Sequence, residues 1–139
     1  MSNNIDGFNK IVAFCLAKAY EQFPCICSIS FDEMTKLVEY GCNGIDTTET
    51  AKKEFIKNCV YWLDEEVELL RVSEGFNNKL DIKLTIKGLQ HLKKTPKSLE
   101  QSIGNILLNN TKQYLKDGMT KGINEAISFG IDSLMENLQ

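Results

Sequence analysis

Residues 69–85 read LLRVSEGFNNKLDIKLT. Leu69 to Val72 forms an apolar run, Glu74-Gly75-Phe76-Asn77-Asn78 has the composition of a turn, and Leu80, Ile82 and Leu84 then alternate with Asp81, Lys83 and Thr85. Alternation puts one set of side chains on one face of an extended chain, so the stretch predicts two strands joined by a turn. On both sides of it the apolar spacing is three and four residues, the repeat of a helix face. This change of period near residue 67, reversed after residue 85, sets the expected fold: mainly α with a small β-hairpin.

Upstream, Ile5, Phe8, Ile11, Val12, Cys15, Leu16, Ala19 and Phe23 share one face of a first helix, which Pro24 ends. Cys25 to Ser30 is a short extended piece. Ser30 and Glu33 then have the S-x-x-E spacing in which each side chain satisfies the other's backbone amide, starting a second helix of about ten residues. Phe31, Met34, Leu37 and Val38 face inward from it, and Gly41 is expected in the left-handed conformation that ends a helix. Asp46, Thr47 and Thr48 are N-caps for a third helix with Phe55, Ile56, Cys59, Val60 and Leu63 inward and Lys52, Lys53 and Lys57 outward. Downstream, Thr85 caps a fourth helix holding Leu89 and Leu92 inward until Pro96, and Ser98 with Gln101 offers another capping pair. The boundary at residues 95–98 divides a core domain, 1–97, from a helical C-terminal extension, 98–139.

With 139 residues, 42% hydrophobic, 25% charged and two prolines, the chain is one globular domain with one core, not a disordered, collagenous or repeat protein. The net charge of −3 excludes adhesion to nucleic acid by bulk charge. Five cysteines, Cys15, Cys25, Cys27, Cys42 and Cys59, cannot all pair within one chain, and the apolar setting of three of them points to reduced thiols and a reducing compartment. Cys25-x-Cys27 lacks the second ligand pair of a zinc site, so no metal is expected. The N-terminus has no secretory pattern and no segment reaches the roughly 18 apolar residues of a membrane span, so the protein is expected in the cytoplasm, away from membranes.

Three helices, a hairpin and a closing helix form an order that resembles the winged helix-turn-helix superfamily. Two stretches carry the likeness. Trp62-Leu63-Asp64-Glu65-Glu66-Val67-Glu68-Leu69-Leu70 is similar to the passage from recognition helix to first wing strand, and Leu84-Thr85-Ile86-Lys87-Gly88-Leu89-Gln90-His91-Leu92 resembles an L-T-x-K-G-x-x-x-L closure. The resemblance covers about residues 5–95, element by element, and implies a winged-helix-like core. In DNA-binding members the third helix enters the major groove and the hairpin tip touches backbone or minor groove. The positions so implied are Thr48, Thr50, Lys52, Lys53 and Lys57, with Asn77, Asn78 and Lys79 on the wing.

The charge distribution follows this division: residues 1–46, 47–97 and 98–139 carry net −3, +2 and −2. The basic excess lies in the third that would face DNA, although Glu49 and Glu54 share the helix with the lysines and no arginine is present there. Winged helices also serve as protein-docking modules. Asp64, Glu65, Glu66 and Glu68 would then form a docking surface for a basic partner, as in an antitoxin or immunity protein that neutralises a basic toxin. Two readings are therefore carried forward: a dimeric DNA-binding transcriptional regulator and a protein-docking module.

In residues 111–138 a bulky row, Leu115, Met119, Ile123, Ile127 and Ile131, runs beside a small row, Gly118, Gly122, Ala126 and Gly130. Small side chains let helix backbones approach closely, so this segment is expected to pack on another helix or form a homodimer contact. Charges about once per turn fit an amphipathic helix, not a membrane span. Phe14, off the main stripe of the first helix, is a candidate to meet the glycine row.

No catalytic residue is expected. The single histidine, His91, has no carboxylate or thiol at a dyad spacing and is expected at a surface or half-buried position. Phosphate-binding loops, nucleophile elbows and zinc hydrolase motifs do not occur, so no cofactor is expected. Trp62, Phe8, Phe14, Phe23, Phe31, Phe55 and Tyr61 are spaced as core or partly buried residues.

Overall fold

The structure is a computed structural model that describes residues 3–93 together with Ser102, Asn105, Leu108 and Asn109. Its elements follow in the order α1 (Asn3–Gln22), β1 (Cys27–Ser30), α2 (Phe31–Thr35), α3 (Glu49–Glu65), β2 (Leu70–Glu74), β3 (Lys79–Leu84) and α4 (Ile86–Leu92). The described chain is mainly helical with one small antiparallel sheet. The expected hairpin is present, but the sheet has three strands in the order β1-β3-β2.

Register explains why this sheet holds. Leu70 lies opposite Leu84 and Val72 opposite Ile82, so the apolar residues of the hairpin share one face. Ile29 of β1 faces Leu80 across the other side of β3. Leu70, Ile29, Leu80, Ile82 and Leu84 are all buried, which is the outcome that alternation in residues 80–84 requires. The short extended piece ahead of Ser30 is thus a paired strand, and the hairpin is the inner part of a wider sheet.

Helix α1 forms the other half of the core. Residues Ile11 to Ala17 are buried without interruption, so the middle of the helix is covered all round and not along a stripe. Phe14 is accordingly a core residue, 1% exposed, with the Lys18 ammonium 5.6 Å from its ring centroid. At the ends of α1 the expected stripe fails: Ile5 is 58% exposed and Phe23 is also exposed. The inward face begins at Gly7, which abuts Phe55 and Val38, and Phe23 lies beyond the last helical residue.

Helix α2 is shorter than its sequence suggests, five residues in place of about ten. Only half of the expected capping box forms, because the Ser30 hydroxyl accepts from Asp32 N and not from Glu33. The Phe31 amide donates instead to the Asn78 carbonyl of the hairpin turn at 3.1 Å. The Thr35 hydroxyl donates back to Asp32 O and the Leu37 amide donates to Met34 O, a tightening that ends the helix. Leu37 and Val38 still reach the core from the irregular segment that follows.

Gly41 does not take the left-handed conformation; that role falls to Gly44, at φ 78°. Gly41 is needed for space, since a Cβ there would lie 2.7 Å from Ala51 Cβ on α3. The cap of α3 is as expected, with Thr48 Oγ1 accepting from Ala51 N, and Phe55, Ile56, Cys59, Val60 and Leu63 form its buried face. Thr85 likewise caps α4 by accepting from Gly88 N. His91 is 6% exposed, a buried residue and not a surface one, because α4 turns it inward beside Leu92.

Leu108 packs against the core. The boundary at 95–98, the Ser98–Gln101 capping pair and the small row Gly118, Gly122, Ala126 and Gly130 lie outside the described residues.

Among the described glycines the tightest backbone approach is at Gly88, where a Cβ would collide with the Leu69 carbonyl oxygen and lie 2.8 Å from Leu84 Cδ1. Gly88→Ala is expected to lower the unfolding free energy by about 2–3 kcal/mol in urea titration, as overpacking against backbone does. Gly44→Ala, in open space but left-handed, is expected to cost only about 1 kcal/mol.

Candidate functional site

The face to be tested is built from α3 and the hairpin. Two polar contacts span them beside their buried faces. Lys57 Nζ on α3 reaches Glu74 Oε1 at the end of β2, at 2.7 Å. Near the C-terminal end of the helix Asp64 Oδ2 accepts from the Val72 amide at 2.9 Å, while Asp64 Oδ1 pairs with Arg71 Nη1 at 3.2 Å. The Val72 amide lies on the open edge of β2, away from β3, so Asp64 covers a sheet edge as well as ending a helix.

The eight positions implied for DNA contact separate under this geometry. Thr48 is spent on the N-cap of α3. Lys57 is held by Glu74, and their hydrogen bond moves both groups away from neutrality: the Lys57 ammonium is raised and the Glu74 carboxyl is lowered. The contact is therefore complete above the ordinary carboxylate range and is lost as pH falls through the depressed Glu74 value. Asn77 and Asn78 take left-handed conformations, φ 56° and 63°, which asparagine tolerates in tight turns. The Asn78 side chain donates to Asp32 on α2 at 3.4 Å, and its carbonyl is the acceptor for Phe31. Lys79 alternates with buried Leu80, so it belongs to the outer face of the sheet and is not brought together with the lysines of α3.

Thr50, Lys52, Lys53 and Asn77 remain, and no ion pair occupies either lysine among the described residues. Glu54 stands in the same exposed row as Thr50 and Asn58, four residues from each. The acidic set separates too: Asp64 is used internally, with its side chain 23% exposed, while Glu65, Glu66 and Glu68 are exposed. Glu68 is left-handed at φ 56°, and its carbonyl accepts from the Thr85 hydroxyl at 2.6 Å.

One surface residue has no counterpart in the sequence reading. Phe76 at the hairpin tip is 89% exposed. Its signal was present, an aromatic inside a Gly-Phe-Asn-Asn turn where no periodic partner exists to bury it.

No group of three His, Cys, Asp or Glu side chains is arranged to hold a metal ion among the described residues. Cys15, Cys25, Cys27, Cys42 and Cys59 are all free thiols. Burial pushes the Cys15 thiol far up and the Cys59 thiol up to about 12, so neither is a thiolate near neutral pH. Cys25 and Cys42 are exposed. No helix among the described residues is long and apolar enough to cross a membrane.

No family model, curated protein or solved structure matches this chain. The geometry alone therefore weighs the readings: a first part of α3 where Lys52 and Lys53 stand among Glu49 and Glu54, an aromatic hairpin tip, and an acidic corner where α3 meets β2.

Asp64 separates from its acidic neighbours in a measurable way. Asp64→Ala removes the acceptor of a backbone amide and is expected to cost about 1–2 kcal/mol in thermal unfolding, whereas Glu65→Ala is expected to stay within about 0.5 kcal/mol. Equal effects would show that Asp64 is not covering the sheet edge.

Proposed function

We propose that the chain is a cytoplasmic, non-enzymatic binding module of winged-helix type, a transcriptional regulator that contacts duplex DNA through the start of α3 and the hairpin tip. The element order of three helices, a hairpin and a closing helix supports the kinship. The observation that carries the reading is the Lys57–Glu74 contact, which runs from the middle of α3 to the end of β2 that enters the hairpin turn, so that helix and tip lie on one side. Thr50, Lys52 and Lys53 supply the helix contacts, and Asn77 with Phe76 supplies those of the tip.

A second reading, docking of a basic protein, is favoured by a different observation. Glu65, Glu66 and Glu68 stay exposed at one corner while Lys57 is paired with Glu74 and Glu54 interrupts the outward row of α3. A surface of that charge would speed encounter with a basic partner and fix its register. Toxin neutralisation is the form such docking would take.

The two separate in a titration of labelled duplex DNA followed by fluorescence anisotropy at low salt. On the DNA reading Lys52→Glu with Lys53→Glu weakens binding at least tenfold and flattens its salt dependence by about two phosphates. Glu74→Gln, by releasing Lys57, strengthens binding and steepens the salt slope by about one. Binding that ignores both changes, or no binding at all, removes the DNA reading, and a co-purifying basic protein lost on Glu65→Lys with Glu66→Lys replaces it.

A further inference from the structure

Between the start of α1, the segment after Gly41 and α3 lies a cleft of about 230 Å³. Three aromatic side chains form its walls: Phe8 from α1, and Phe55 and Trp62 from α3. Phe8 and Trp62 meet edge to face, with centroids 5.2 Å apart and planes at 85°. Two perpendicular aromatic walls suit a flat ring, which stacks on one and presents its edge to the other. The cleft is open to solvent, unlike the roughly 150 Å³ closed apolar cavity that holds a benzene molecule, and its volume is half as large again, so it seats one side of a fused two-ring system.

The polar part of the lining narrows the chemistry. No charged side chain lines the cleft among the described residues. Asn4 Nδ2 donates to the Cys42 carbonyl at 3.1 Å and Asn58 Nδ2 donates to Cys42 Sγ at 3.5 Å, so both amide nitrogens are turned to the loop. Neither amide oxygen accepts a hydrogen bond from the described residues; Asn4 Oδ1 faces Gly44 of the loop, which leaves Asn58 Oδ1 as the acceptor in the lining.

We propose that this cleft binds a small neutral aromatic or heteroaromatic molecule that carries an N–H or O–H donor. A few well-placed polar groups in an otherwise apolar recess are what gives such sites their orientation. Among the described residues the lining offers an anionic or zwitterionic ring no counter-charge for whatever hydration it gives up. The site uses α3 residues other than those assigned to DNA, so it stands or falls independently of that reading.

Indole serves as the probe, with 1-methylindole and indole-3-acetate as comparators and the full chain as target. Trp62 is the only tryptophan, so its indole N–H gives one resolved signal in a proton–nitrogen NMR spectrum. The proposal expects saturable movement of that signal with indole, at a Kd of about 10⁻⁴–10⁻³ M for nine non-hydrogen atoms. It expects binding at least fivefold weaker for 1-methylindole, which lacks the donor, and for the anionic indole-3-acetate. Indole is also expected to slow alkylation of Cys42 at the cleft while leaving exposed Cys25 unchanged.

Asn58→Phe, on an exposed position of α3, plugs the cleft without entering the core and is expected to abolish the shift while the remaining spectrum stays native. Absence of a saturable shift at about 5 mM indole, roughly ten times the expected Kd, overturns the proposal. A shift that persists in Asn58→Phe overturns it as well. Equal affinity for indole and 1-methylindole overturns the assignment of a hydrogen-bond donor.

Discussion

Strand β3 is the constraint on which the rest of the structure depends. It is the only strand with neighbours on both sides among the described residues, and its inward residues Leu80, Ile82 and Leu84 lie in the core. Its backbone is shared in alternation. Gly75 N donates to Lys79 O and Thr85 N to Leu69 O, which phases the β2 ladder on residues 79, 81, 83 and 85. Phe31 N donates to Asn78 O, which phases the β1 ladder on residues 78, 80 and 82. A slip of one residue would expose all three apolar side chains and break both ladders together.

Both ends of β3 fasten other elements. At one end the hairpin turn caps α2 through Asn78. At the other, the Thr85 hydroxyl donates to the Glu68 and Leu69 carbonyls and accepts from Gly88 N, tying the exit of α3 to the start of α4. The surface used for recognition inherits this order. Lys57 and Asp64 are charged residues placed where a partner could meet them, yet each is engaged by β2, and the remaining charge lies at the two ends of α3, mixed at the start and acidic at the finish.

What the sequence showed was whatever repeats within one element. The alternation in 80–84, the buried row of α3 and the caps at Thr48 and Thr85 are local patterns, and the structure contains each of them. Features that depend on a distant partner were not legible. A four-residue strand such as β1 has too few positions to declare its pairing with residues 79–82. Helix α2 stops early where the Thr35 hydroxyl donates back to Asp32 O and the Leu37 amide to Met34 O, while its first amide is held by a turn 47 residues away, and no spacing rule within 30–41 reports either. Phe14 looked like an outlier because a one-sided stripe was assumed for a helix that is covered all round. The candidate site was half legible for the same reason: residue type and helix position identify Thr50, Lys52 and Lys53, while the withdrawal of Lys57, Asp64 and Asn78 into contacts is a tertiary fact.

Amide hydrogen exchange along β3 tests the central role of this strand most directly. The amides of Leu80 and Ile82 turn toward β1, those of Asp81 and Lys83 toward β2. A central strand predicts that all four exchange at comparable, slow rates set by opening of the whole domain. Rapid exchange of Leu80 and Ile82 beside protected Asp81 and Lys83 would describe a two-stranded ribbon with a bare edge, and would contradict the account.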